Sequence, residues 1–99
     1  MVIERAVIDV NPGDEERFAQ ALRDASKVVA ESRGFRSISA ARGVEEPGRF
    51  LLLIEWDTLE DHTVGFRGSE RFTRWRELIG PYFAAPPAVE HYEPVALDG

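Results

Sequence analysis

Two histidines and a crowd of aromatic side chains are the residues of this chain best suited to chemistry. His62 falls with Leu59 and Phe66 at i, i+3, i+7 spacing, which puts its imidazole on the apolar stripe of a helix. Facing the space between helix and sheet, it could act near neutral pH as a base toward an acidic phenol or anthrone hydroxyl. The competing reading is a buried histidine bonded to Glu55, Asp61 or a backbone carbonyl. His91 stands beside Tyr92 in a predicted strand, where parity decides whether it faces the helices or a dimer interface. Structural packing is its simpler role. The two histidines are distant in sequence, with no cysteine and no His-x-x-x-His pair, so no metal site is expected.

Trp56, Phe66, Phe72, Trp75, Tyr82 and Phe83 are concentrated in the second half of the chain. They could line a slot for a flat polycyclic ligand or simply form the core beneath a helix. Phe72 and Trp75, at helical spacing, fit the core reading better. The binding set expected around His62 is Trp56, Phe66, Trp75, Tyr82 and His91. Arg67, Arg71 and Arg74 recur at i, i+4, i+7 and could guide an anion to a pocket mouth. A solvated face, with Glu70 four residues before Arg74, also accounts for them. Ser69 lacks a Gly-x-Ser-x-Gly elbow, and Gly65-Phe66-Arg67-Gly68 is too short for a nucleotide loop. With no phosphate, NAD or flavin signature, no cofactor is expected.

The elements that must position these residues follow from periodicity and punctuation. Val2 to Val10, rich in β-branched residues, reads as a strand with apolar side chains on both faces. Asn11-Pro12-Gly13-Asp14 ends it and starts a helix, with Asp14, Glu15 and Glu16 at the positive end. Phe18, Ala21, Leu22, Ala25, Val28, Val29 and Ser32 form its apolar face, and Gly34 supplies a left-handed C-terminal residue. Phe35 to Arg42 reads as a second strand and Gly43 to Gly48 as the turn into a third, Arg49–Trp56. Thr58 with Asp61 fits a capping box. Gly65 and Gly68 weaken the first helical piece, and Ser69 can cap another whose stripe is Phe72, Trp75, Leu78 and Ile79. Gly80-Pro81 closes that helix, and Pro86-Pro87 introduces a last strand, Ala88 to Val95. The order β-α-β-β-α-β is ferredoxin-like, an α+β fold with an antiparallel sheet.

A chain of 99 residues makes one domain, 1–99, and its 43% apolar and 30% charged shares are ordinary for a globular protein. The net charge of −6 argues against nucleic acid or an anionic membrane surface as partner. No apolar run reaches membrane-span length and the N-terminus lacks a signal-peptide core, so the expected address is the cytoplasm. In the third strand Phe50, Leu52, Ile54 and Trp56 point one way and Leu51, Leu53 and Glu55 the other. Both sets are largely apolar, yet helices on one side cover only one face. A second copy of the sheet would cover the other, which makes a homodimer the expected assembly.

The stretch Glu55 to Arg76, E-W-D-T-L-E-D-H-T-V-G-F-R-G-S-E-R-F-T-R-W-R, after the apolar run Phe50–Ile54 and before G-P-Y-F-A-A-P-P-A-V-E-H-Y-E-P, resembles the antibiotic-biosynthesis monooxygenase family. The resemblance covers nearly the whole chain and implies a dimeric α+β barrel. It also implies a cofactor-independent monooxygenase acting with molecular oxygen on a small aromatic substrate: a quinol, an anthrone or a polyketide-like phenol. An electron-rich phenolate can itself reduce oxygen, so the protein need only bind, deprotonate and exclude water. The alternative in this fold is a non-catalytic small-molecule-binding or stress-response module. Haem-degrading relatives use an Asn, Trp, His set, and the corresponding places here hold Ala6, Phe66 and Arg76. A histidine that many quinol-oxidising relatives carry three residues before the helix-capping serine is replaced by Phe66, with His62 one turn earlier.

Overall fold

The computed structural model describes residues 1–98. Along strand β1 (Val2–Asp9), strict alternation buries Val2, Glu4, Ala6 and Ile8 on one face and leaves Ile3, Arg5, Val7 and Asp9 half-buried on the other. Helix α1 (Glu15–Val29) follows, burying Phe18, Leu22, Ala25, Val28 and Val29. It stops at Val29, so Ser32 belongs to the following turn rather than to the apolar stripe. Gly34 has the expected positive φ of 81°, but it lies beyond that turn, and Ala30 is the residue that ends the helix. A Cβ at Gly34 would collide with the Asp61 side chain.

Strands β2 (Phe35–Arg42) and β3 (Arg49–Trp56) have the expected bounds, and with a last strand, β4 (Ala88–Tyr92), the four-stranded sheet has the order β2-β3-β1-β4. All neighbouring strands are antiparallel, as the ferredoxin-like arrangement requires. Strand β4 spans Ala88–Tyr92 and is shorter than the expected Ala88–Val95. Its partner runs out, because Tyr92 already pairs with Ile3 near the start of β1, and Pro94 has no N–H to extend the ladder.

Between β3 and the second helix the backbone departs from the expected α-helical piece. Thr58 Oγ1 accepts the Asp61 N–H at 3.1 Å, as the capping reading requires, but Asp61–Phe66 winds as a π-helix. Its mark is the Arg67 N–H, which reaches five residues back to the His62 carbonyl at 3.1 Å. Helix α2 (Glu70–Ile79) begins after Ser69, whose hydroxyl donates to the Phe66 carbonyl at 2.7 Å instead of capping forward. Trp75 and Ile79 are its buried residues, with Phe72 and Leu78 packed partly against the core. A 3₁₀ turn, Gly80–Tyr82, leads toward β4. Phe50, Leu52, Ile54 and Trp56 join the core under the helices, while Leu53 on the opposite face is 37% exposed. Among the described residues, no helix is long and apolar enough to cross a membrane.

Candidate active site

Strand register brings the polar residues of the interior together. Glu4 on β1 lies opposite Ile54 on β3 and opposite His91 on β4, so Glu4 and His91 share the face that the helices cover. The π-helix then lowers His62 onto them. Among the described residues, Glu4 and His62 are the polar or charged side chains buried with the apolar core, 6% and 2% exposed. Trp56 Nε1–H donates to Glu4 Oε1 at 3.0 Å, and His62 Nε2 lies 3.2 Å from the same oxygen. The other ring nitrogen, Nδ1, is 2.7 Å from His91 Nε2. The tautomers that suit every partner place His91 Nε2–H toward His62 Nδ1 and His62 Nε2–H toward a Glu4 carboxylate. Glu4 Oε2 takes no protein hydrogen bond among the described residues.

Burial sets the protonation of this group. It pushes the Glu4 carboxyl above its ordinary value, against the opposing pull of the Trp56 N–H and the Arg67 charge. Burial, then Arg67, then His91 hold His62 down at about 3. His91 is lowered by burial and by Arg67. Close as they are, Glu4 and His62 are therefore not an ion pair, since the imidazole is neutral at physiological pH. The ring lies nearly parallel to Trp56, 5.4 Å between centroids at 23°, and 6.2 Å from Phe66.

Glu4 and His62 open onto a cavity of about 680 Å³ between the sheet and the helical segment that ends in α2. That volume is within the range of pockets for drug-sized ligands, about 300–1,000 Å³. Ala6, Leu52 and Ile54 form the sheet side, and Phe66, Phe72 and Trp75 bring aromatic surface from the helices. Of the residues expected around a flat ligand, His62, Phe66 and Trp75 line this space. Trp56 does not: it is fully buried behind His62 and holds Glu4. Tyr82 packs edge-on against Phe18, 6.5 Å between centroids. His91 backs His62 and opens instead onto a separate depression with Met1, Thr58 and Tyr92. Of the arginines, Arg67 reaches the cavity and is joined by Arg76, while Arg71 and Arg74 share a different depression with Glu31 and Glu70. His62 is bonded to neither Glu55 nor Asp61.

Comparison with known proteins gives this geometry a family. The sequence model described as antibiotic biosynthesis monooxygenase matches residues 1–78, most of the chain. The chain belongs to this family. YczJ of Bacillus subtilis (strain 168), an uncharacterised protein, is 39% identical over 95 residues, covering 96% of this chain and 100% of its own length. A crystal structure from Bordetella bronchiseptica, provisionally called an antibiotic biosynthesis monooxygenase, is 37% identical with a TM-score of 0.93, over 96% of this chain and 97% of its own. SnoaB from Streptomyces nogalater, a cofactor-independent oxygenase, shares the fold with a TM-score of 0.82 at 11% identity, over 99% of this chain and 97% of its own.

Glu4 is the site residue that the sequence reading passed over. The signal was available: it falls in phase with Val2, Ala6, Ile8 and Val10, all buried, so an inward carboxylate follows from parity alone. Among the described residues, no cluster of three His, Asp or Glu side chains is disposed to hold a metal ion.

Proposed function

We propose that this chain is a cofactor-independent monooxygenase that oxidises a small aromatic substrate, such as an anthrone, quinol or polyketide-like phenol, with molecular oxygen. The observation that carries the reading is a buried carboxylate, fixed by Trp56 and His62, at the wall of an aromatic-lined cavity. For an anthrone, the CH₂ becomes C=O: one oxygen atom enters the product, the other leaves as water, and the substrate supplies all four electrons. What the protein must add is a flat apolar berth and a base that removes the acidic proton. In this reading Glu4 Oε2 takes that proton. His62, with both ring nitrogens already engaged, holds Glu4 Oε1 in place and presents its ring to the substrate.

The test is oxygen consumption by the pure protein with reduced anthrones and quinols, beside a protein-free blank and His62→Ala. Saturable uptake above the blank, lost in a His62→Ala protein that still folds, is expected. Saturable binding of the aromatic panel without uptake would replace the oxygenase with a binding module.

We also propose that the active form is a homodimer. Ile3, Val7, Leu51 and Leu53 lie on the sheet face that no helix among the described residues covers. A second copy would bury them through an isologous contact, with about 1.5–3 kcal/mol gross for each large apolar side chain fully buried. Light scattering after size exclusion should give twice the mass of the chain, and Leu53→Glu should give the monomer. A monomeric wild-type protein at micromolar concentration would end this proposal.

A further inference from the structure

The cavity carries charge of its own, and that charge selects the ligand. Besides Glu4 and His62, the charged side chains on its lining are Arg67 and Arg76. Neither has a carboxylate partner among the described residues; Arg23, Arg33, Arg71 and Arg74 lack one too, but only Arg67 and Arg76 of these arginines stand on the cavity lining. The one carboxylate on the lining among the described residues, Glu4, has Oε1 occupied by Trp56 and His62. Arg76 stands over the Phe72 ring, 5.7 Å from its centroid, so its guanidinium is braced against an aromatic wall of the same cavity. Arg67 lies close enough to the interior that its charge is felt by Glu4, His62 and His91 alike.

We infer that the ligand of this cavity is an aromatic acid, its flat ring system against Phe66, Phe72 and Trp75 and its carboxylate at Arg67 and Arg76. Guanidinium groups recognise carboxylates through paired, charge-assisted hydrogen bonds. The arginines fix the direction of binding. The acid end seats at them, attracted by their charge, and the ionisable hydroxyl is left for Glu4. The inference rests on the cavity being the substrate site. It adds what the ligand must carry besides an oxidisable ring.

Calorimetric titration with anthraquinone-2-carboxylate and with its neutral carboxamide tests this without turnover. The carboxylate is expected to bind at least about tenfold more tightly at low ionic strength, a preference that added salt narrows. The double variant Arg67→Gln/Arg76→Gln should lose the preference while still binding the carboxamide. Both positions are solvent-exposed, and a thermal melt confirms that the variant is folded. Equal affinities in the wild type, no binding of the carboxylate, or a preference that survives the double substitution would each overturn the inference. Oxygen uptake with reduced neutral anthrones separates this outcome from the oxygenase proposal. Turnover without carboxylate preference removes only the aromatic acid, and preference without turnover removes only the oxygenase.

Discussion

Glu4→Gln is expected to lower oxygen uptake by roughly 100-fold or more, the scale on which a positioned general base contributes, while the protein stays folded. Glutamine keeps the shape of the side chain and an oxygen that can accept the Trp56 N–H, so the packing around it survives. What it loses is the ability to take a proton. The pH profile separates this role from a structural one. A base must be ionised to work, so activity falls as pH drops through the Glu4 pKa. Burial raises that pKa, which places the acid limb of kcat/KM above the ordinary carboxylate value of 4.5. A Glu4→Gln enzyme should show neither the activity nor that limb. Near-wild-type uptake by this variant would remove Glu4 as the base.

Trp56→Ala should have the largest effect on stability. Trp56 is the bulkiest fully buried side chain, touching Phe35 edge-on, stacking on His62 and packing against Phe66. Truncating a buried tryptophan costs about 3–5 kcal/mol. Loss of its N–H also removes one of the two donors to Glu4 Oε1, leaving His62, which adds about 1 kcal/mol for a lost hydrogen bond. Against the roughly 5–15 kcal/mol that holds a typical domain together, this change should leave much of the chain unfolded at 25 °C. Trp56→Phe keeps most of the volume and loses the donor. It should fold with a lowered melting temperature and a further raised Glu4 pKa. Circular dichroism melts of the two variants check both expectations, and a wild-type melt for Trp56→Ala would contradict the packing described here.

The fold was legible because its signals are local and periodic. The apolar stripes of the two helices and the opposed faces of Arg49–Trp56 each follow from residue spacing, and the matching structure has the same bounds for β2 and β3. The site was legible only in part. His62, Phe66 and Trp75 sit on helical segments, where spacing says which way a side chain points. Trp56 and Tyr82 are aromatic residues whose partners come from distant parts of the chain, and composition alone does not separate a core ring from a pocket ring. The meeting of Glu4, His62 and His91 is a matter of register: β1 pairs with both β3 and β4, and no local pattern reports which residue of one strand lies opposite which of another. The β4 end shows the same limit, since its length depends on where its partner stops. Arg76 was overlooked because nothing in its own neighbourhood distinguishes a cavity rim from a solvated helix face.

The π-helix from Asp61 to Phe66 also says something about descent. A turn whose hydrogen bonds reach back five residues holds one residue more than the α-helical turn it replaces. A lineage that lost a single codon here, that of Gly65 for instance, could close the segment as ordinary helix. Because the wide turn and the ordinary one each close about one revolution, His62 would keep nearly the same direction relative to Phe66 across such a loss. The imidazole of His62 would still face Glu4, so the contact between a helical histidine and a strand-borne acid does not hang on the extra residue. Segment length between Trp56 and Ser69 is therefore free to differ by one residue between homologues that build the same histidine–carboxylate contact.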